Sequence, residues 1–358
     1  MSNKLFKKMA KNTVFKIEFI IIAAFLAIFI SACTKNPEAS NDHLKMGIDL
    51  FNEGKTDLAL SEFNMAVNLN SVNAEAYYQR AKLYISKNNL DKGIEDLDEA
   101  LDLNPASSKY YDARGYTYIS KNELDKALQD YDKAIQYEPK NASHYNRRGY
   151  IHALKNDFNA AVNDYSKALQ LNPKFEDAYS NRGFAFVNLK QYDNAAADFA
   201  KAIELNPSKP IYYNTRGYAF ANLKNYPLAL RDYDIAITMD SKNIDAFINR
   251  GYANMNTGNY IQAVSDFDMA LQLDPNKPTI YNARGYAYAN LKSYDKAVLD
   301  YSKAIQLDSS LADAYSNRGH ANVYLKLRDL AVKDWEKAIQ LNPALEQSLR
   351  PYIKESQK

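Results

Sequence analysis

Eight arginines, Arg80, Arg114, Arg148, Arg182, Arg216, Arg250, Arg284 and Arg318, follow one another at a constant step of 34 residues. Sixteen residues after each stands an aspartate: Asp96, Asp130, Asp164, Asp198, Asp232, Asp266, Asp300 and Asp334. A guanidinium and a carboxylate at one fixed offset can form bidentate, charge-assisted hydrogen bonds. On a packing face each charge must find a partner or be costly to bury. The pattern therefore predicts Arg to Asp pairs within or between repeats, with a structural role set against ligand binding as the alternative. The first period lacks the arginine, having Met46, and its acid is Glu62.

Catalytic chemistry finds no comparable support. His43, His144, His152 and His320 are scattered, and none forms the i, i+4 pair with a carboxylate that a zinc site uses. His152 occupies a position held by Tyr or Phe in several other repeats, which reads as a core substitution. Cys33 is the only cysteine, which excludes an intrachain disulfide and a cysteine-based zinc site. Gly54-Lys55-Thr56 is similar to the end of a phosphate-binding loop, but Asp49 stands where that loop needs its first glycine. No Gly-x-Ser-x-Gly elbow occurs. The expectation is a protein without catalytic residues, metal or cofactor, and with no small-molecule substrate in evidence.

The elements that carry these residues are helical. In the fifth period Tyr179, Gly183 and Phe186 share one helix face at steps of four and three, and Ala195, Phe199 and Ala202 mark a second helix by the same spacing. Small residues let the two helices approach, and large ones at a single position (Tyr131, Tyr165, Phe199, Tyr233, Phe267, Tyr301, Trp335) fill the gap to the next hairpin. A 34-residue unit cannot bury its apolar face alone, so the hairpins must stack. Most of the 29 tyrosines are accounted for as packing.

Gly follows all but the first arginine, usually with an aromatic after it, and second helices end near Pro105, Pro139, Pro173, Pro207, Pro275 or Pro343. Period and motif together resemble the tetratricopeptide repeat (TPR), in an Asn-Arg-Gly-Tyr variant seen unbroken at Asn249 to Tyr252. The resemblance covers nine repeats starting at 40, 74, 108, 142, 176, 210, 244, 278 and 312, assigned to residues 43–345. It implies an all-α, right-handed superhelical solenoid. Leu349, Tyr352 and Ile353 repeat the first-helix pattern on a polar tail, so residues 346–358 are expected to cap the stack as half a repeat, with Pro351 kinking or shortening that helix.

A period of 68 overlies that of 34. Repeats five, seven and nine carry Asn181, Asn249 and Asn317 directly before the arginine, whereas repeats four, six and eight place Asn146, Asn214 and Asn282 one position earlier in the repeat. Duplication of a two-repeat unit and a groove of alternating chemistry both fit.

In the family, ligands lie in a concave groove lined by first helices, at repeat positions 2, 5, 9, 12 and 13. Position 9 carries over to Tyr116, Tyr150, Phe184, Tyr218, Tyr252 and Tyr286, then His320; position 13 to Asn188, Asn222, Asn256 and Asn290; position 2 to Asp177, Asp245 and Asp313. An amide ladder can pair with the backbone of an extended chain, and tyrosines add apolar contact at small entropic cost. The alternative is that these rings only pack on neighbouring helices. Groove cations are few (Lys82, Lys109, Arg147), so the pattern that clamps a C-terminal carboxylate is missing and a ligand with some basic residues fits better.

The first residues read as an address. Lys4, Lys7, Lys8, Lys11 and Lys16 precede the apolar run Phe19 to Ile30, too short to span a bilayer, and Ile30-Ser31-Ala32-Cys33 is similar to the lipobox of bacterial lipoproteins. The resemblance implies a signal peptide at 1–32, a covalent lipid on Cys33 as membrane anchor, and a short tether at 33–42. Thr34 in place of Asp favours the outer membrane of a bacterial cell envelope, on its periplasmic or surface side. Residues 1–32 hold five lysines and one glutamate, which leaves 40 basic and 42 acidic residues after cleavage. That balance gives no reason to expect nucleic acid. The expected function is a protein- or peptide-binding scaffold or adaptor, with a self-associating structural lipoprotein as the alternative.

Overall fold

The computed structural model describes residues 36–356, so the leader, Cys33 and its lipidation lie outside the described residues. Nineteen α-helices follow: α1 Pro37–Asn52, α2 Thr56–Leu69, α3 Ala74–Ser86, α4 Leu90–Leu103, α5 Ser108–Ser120, α6 Leu124–Tyr137, α7 Ala142–Leu154, α8 Phe158–Leu171, α9 Glu176–Asn188, α10 Tyr192–Leu205, α11 Pro210–Asn222, α12 Tyr226–Met239, α13 Ile244–Asn256, α14 Tyr260–Leu273, α15 Pro278–Asn290, α16 Tyr294–Leu307, α17 Ala312–Tyr324, α18 Arg328–Leu341 and α19 Glu346–Ser356. A 3-10 turn, Pro343–Leu345, precedes the last. Among the described residues there is no strand, and no helix is long and apolar enough to cross a membrane. Two compact units divide at His144 and Tyr145.

In each unit the helices pair as antiparallel hairpins that stack in chain order. Local chemistry sets the turns. Within a hairpin one residue takes the left-handed conformation (Asn88, Asn122, Asn156, Lys190, Lys224, Lys292, Lys326, with Gly54 and Gly258 in two repeats). The next N–H then reaches back five residues, as Gln191 N–H does to the Phe186 carbonyl at 2.8 Å, closing the first helix in a Schellman-type cap. Between hairpins an Asn or Asp side chain accepts from the backbone two residues on: Asn172 from Lys174, Asn206 from Ser208, Asp274 from Asn276. Such Asx turns end most of the second helices and aim the chain at the next repeat.

The core is one motif copied along the stack. In the unit of residues 145–358, Phe199, Tyr233, Phe267, Tyr301 and Trp335 are at most 1 % exposed, each flanked by buried alanines one turn away. A Cβ on Gly183 would come within 2.8 Å of the Phe199 ring, and one on Gly251 within 2.6 Å of Phe267, so the glycine after each arginine is what lets the ring lie on the first helix. The other side of the ring meets the following repeat: Tyr233 packs with Ala253, Tyr301 with Ala321, and Phe199 with Tyr212 at 6.1 Å between centroids. Successive first helices also touch (α9 with α11, α11 with α13, α13 with α15, α15 with α17), and successive second helices have no contact of that extent. First helices thus form the tighter, inner layer of this unit.

Two boundaries differ from the sequence reading. The helical array begins at Pro37, not after a tether reaching residue 42. Asn36 caps α1 by accepting from Ala39 N–H at 3.0 Å, Pro37 sits in the first turn where its missing N–H costs nothing, and Asn36 N–H donates to the Leu69 carbonyl at 2.9 Å. At the other end α19 runs through Pro351 to Ser356, so the proline does not shorten it. Its Leu349 and Ile353 are buried against Trp335 and Ala338, and this packing holds the helix past the proline.

Candidate functional site

All eight arginines meet the aspartate sixteen residues on. In most the contact is bidentate, as in Arg182, whose Nε and Nη2 each donate at 2.7 Å to the two oxygens of Asp198. The same geometry joins Arg80 to Asp96, Arg114 to Asp130, Arg148 to Asp164, Arg216 to Asp232, Arg284 to Asp300 and Arg318 to Asp334. Arg250 differs: both donors reach Oδ1 of Asp266, and Asn254 takes Oδ2 at 3.0 Å. The third nitrogen, Nη1, often bridges to the preceding repeat: Arg114 to Asp98, Arg250 to Asp234, Arg284 to Asp268, Arg182 to Ser166 and Arg318 to Ser302. Burial pushes the carboxyls of Asp130, Asp198 and Asp266 above the ordinary aspartate value, although the paired arginine pulls the other way. At these three carboxyls burial outweighs the neighbouring charge, whereas at Arg114 and Arg250 burial, which lowers the guanidinium, is outweighed by the hydrogen bonds to aspartate, which raise it. In the first repeat Glu62 pairs with His43 Nδ1 at 2.6 Å, a partner that spacing alone did not reveal.

The groove residues lie on the inner layer. Tyr116 is half exposed in the unit of residues 1–144. In the other unit Tyr150, Phe184, Tyr218, Tyr252 and Tyr286 are between 36 % and 45 % exposed, a row of accessible rings. Three of the rings are also packed: Phe184 stands edge-on to Phe199 at 5.0 Å, Tyr252 to Phe267 at 5.4 Å and Tyr218 to Tyr192 at 6.3 Å. Burial pushes the Tyr252 phenol up, so it stays a neutral donor at physiological pH. Packing and accessibility are thus combined in these three rings.

The position 13 asparagines are each tied to their own helix. Asn188, Asn222, Asn256 and Asn290 each donate Nδ2 at 2.9 Å to the carbonyl four residues back, on Phe184, Tyr218, Tyr252 and Tyr286. One N–H of each Nδ2 is spent on the helix, and the second N–H and Oδ1 are left to face a ligand. Asp177, Asp245 and Asp313 are exposed at the first-helix N-termini. Lys209 reaches Asp177 only at 3.9 Å, since its closer partner is Glu176 at 2.7 Å. Lys109, expected as a groove cation, is held by Glu75. Amides and carboxylates therefore dominate this face.

Sequence reasoning missed two features. A hollow of about 400 Å³ closes the groove between repeats eight and nine, walled by Tyr286, Asn290, Tyr294, Asn317, His320 and Tyr324. Tyr324 stands where earlier repeats have the position 13 asparagine and stacks on Tyr294 at 4.3 Å. His320 lies edge-on to Trp335 and Tyr352, and burial lowers its pKa. The second is the meaning of the 68-residue period: Asn181 donates to Asn146, Asn249 to Asn214 and Asn317 to Asn282, at 3.0 to 3.2 Å. Staggering the amides by one position is what lets the two repeats of each pair join.

With hairpins, glycine contacts and inner layer in place, the comparisons with known proteins agree. Profiles of the tetratricopeptide repeat match residues 74–107, 115–155, 149–190, 176–209, 256–292, 290–325 and 312–345. The chain belongs to the tetratricopeptide repeat family. Among solved structures it is similar to the C-terminal part of a TPR repeat-containing protein from Cytophaga hutchinsonii, at 21 % identity over 67 % of this chain and 98 % of that one, with a TM-score of 0.58. A tetratricopeptide repeat protein from Parabacteroides merdae aligns at 20 % identity over 70 % and 99 %, with a TM-score of 0.52. The APC/C hetero-tetramer Cut9-Hcn1 aligns at 17 % identity over 83 % and 59 %, also with 0.52. At these identities the likeness is one of fold. No curated protein matches the sequence. Among the described residues no cluster of His, Cys, Asp or Glu could hold a metal ion.

Proposed function

We propose that this chain is a lipid-anchored scaffold that binds extended segments of partner proteins along its first helices, in the bacterial cell envelope. Repeats of this family serve protein and peptide binding, and one observation carries that reading to this chain: five ring side chains in successive repeats are accessible, three of them held edge-on by a neighbouring ring. Rings so fixed lose little entropy when a ligand covers them. The amides of Asn188, Asn222, Asn256 and Asn290 each keep an N–H and an oxygen for the backbone of an extended segment, and Asp245 and Asp313 beside them favour one with some Lys or Arg.

The anchor rests on the sequence: the basic start, the short apolar run and the lipobox-like residues up to Cys33. With α1 beginning at Pro37, only three residues separate Cys33 from the first helix, so the scaffold would work close to its membrane, of which the outer is favoured by Thr34. Metabolic labelling with a palmitate analogue tests the anchor: label in the wild type and none in Cys33→Ser is expected, and label on both would refute it. The groove is tested by affinity capture from cell envelopes with wild type and Tyr150→Ala/Tyr218→Ala/Tyr286→Ala, both shown to be folded by circular dichroism. Partners lost with the rings support the groove. Equal recovery from both proteins, or recovery only of the chain itself, moves a self-associating structural protein ahead.

A further inference from the structure

In four repeats the arginine lies between two rings, and in repeats seven and nine an asparagine replaces the second ring. One face of each guanidinium lies near the aromatic three residues before it, for instance Tyr179 at 5.8 Å from Arg182 and Phe247 at 5.7 Å from Arg250. The other face is covered by the residue four positions on: Tyr118 over Arg114, Phe186 over Arg182, Phe220 over Arg216 and Tyr288 over Arg284, at 5.8 to 6.0 Å. In repeat seven that station holds Asn254. The shorter side chain bonds Asp266 Oδ2, and beside it lies an open hollow of about 300 Å³, walled by Arg250, Asn254, Leu230, Asp234 and Gln262. Arg250 is 25 % exposed and Arg318 22 %, against 19 % to 21 % for the four arginines with both rings.

We propose that this slot is a binding site for a phenolic ring supplied from outside, which stacks on the open face of Arg250 as Phe220 and Tyr288 do on their own arginines. Cation–π stacking on a partly desolvated guanidinium is favourable, and a hollow of half this size suffices for a benzene ring. The polar rim selects the substituent. Asn254 donates through Nδ2 and keeps Oδ1 as an acceptor, and the Asp234 carboxylate at the mouth is 61 % exposed. Both favour a ring bearing an O–H donor over one bearing a carboxylate. Residue 254 lies two positions after the groove ring Tyr252, on a different side of α13, so the slot is independent of the groove and of what binds there. The 68-residue period places a second asparagine at this station, Asn322, which likewise bonds its aspartate and leaves a buried Oδ1 without a partner.

The test uses 4-fluorophenol and ¹⁹F NMR with residues 34–358, the whole helical array. Saturable line broadening is expected for the wild type. Asn254→Phe restores the sandwich of the neighbouring repeats and is expected to weaken binding at least ten-fold while melting no lower than the wild type. Tyr288→Asn, made in the Asn254→Phe background, copies the slot into repeat eight and is expected to restore binding, an outcome that loss of folding cannot imitate. Absence of saturable binding to the wild type, or equal binding to Asn254→Phe, would overturn the proposal. Competition with the capped tripeptide Ac-Ala-Tyr-Ala-NH2 separates two sources of the ring: displacement assigns it to a polypeptide, and binding of the phenol alone assigns it to a small aromatic molecule.

Discussion

Replacing Arg182 by Leu removes two 2.7 Å hydrogen bonds from Asp198 and strands a carboxylate that is 7 % exposed. Losing one partner of a buried pair costs about 3–5 kcal/mol, because the remaining charge stays desolvated. Asp198→Leu leaves a guanidinium that is 21 % exposed and still bonded to Ser166, so its cost is expected nearer 2 kcal/mol, the scale of lost hydrogen bonds to a charged group. The double variant leaves neither charge and fills the space with hydrocarbon, which brings it to within about 1 kcal/mol of the wild type. A coupling energy of at least about 2 kcal/mol follows. The assay is urea unfolding read by helical circular dichroism, with midpoints compared at equal slopes. Acidification gives a second readout. Burial already raises the Asp198 carboxyl, and loss of Arg182, which lowers it, raises it further. A carboxyl whose folded pKa exceeds its unfolded one destabilises the fold above the folded pKa and ceases to do so as pH falls through it. The Arg182→Leu deficit should therefore shrink between neutral pH and the ordinary aspartate range. Additive single costs, or a deficit that grows on acidification, would refute the reasoning.

Three further outcomes are expected. Lys292 holds a φ of 60° with an ordinary side chain, so Lys292→Gly should raise stability by about 1 kcal/mol in the same urea assay, and a loss would contradict the turn argument. Gly251→Ala places a Cβ 2.6 Å from the buried Phe267 ring and should cost about 1–3 kcal/mol by overpacking, read as a lower melting midpoint. Burial lowers the pKa of His320 below its ordinary 6.5, so the unfolded chain binds the proton more readily. The stability this residue gives is complete above pH 6.5 and is lost as pH falls towards the lowered value. Melting between pH 7.5 and 5 should show this loss in the wild type, and His320→Tyr should remove that part of the slope.

The stacking was legible because it depends on residue types that recur. Arg182 and Asp198, sixteen apart, and Gly183 before the Phe199 ring name the contact and the reason for it. The helix start at Pro37 was hidden because Asn36 also bonds the Leu69 carbonyl, a contact across 33 residues that no local pattern shows. In the groove, position 9 was readable as a row, but not which of its rings a neighbouring ring holds edge-on, since that depends on the adjacent helices. The position 13 amides read as a ladder, and what their spacing does not show is that the helix's own carbonyl takes one of the two N–H groups of each. The slot beside Asn254 is visible only as a missing ring, and a sequence shows which residue is present rather than the space it leaves.

The central claim is that the first-helix face of the unit spanning residues 145–358 is the working surface. Site-specific photo-cross-linking in cell envelopes tests it most directly, with p-benzoylphenylalanine placed once at Tyr218 in the ring row and once at Leu299, 70 % exposed on the second helix α16. The account predicts cross-links from position 218 to polypeptides other than the chain itself, reduced by Tyr150→Ala/Tyr286→Ala, and few from position 299. Cross-links from position 299 alone, or from position 218 only to other copies of the chain, would contradict it.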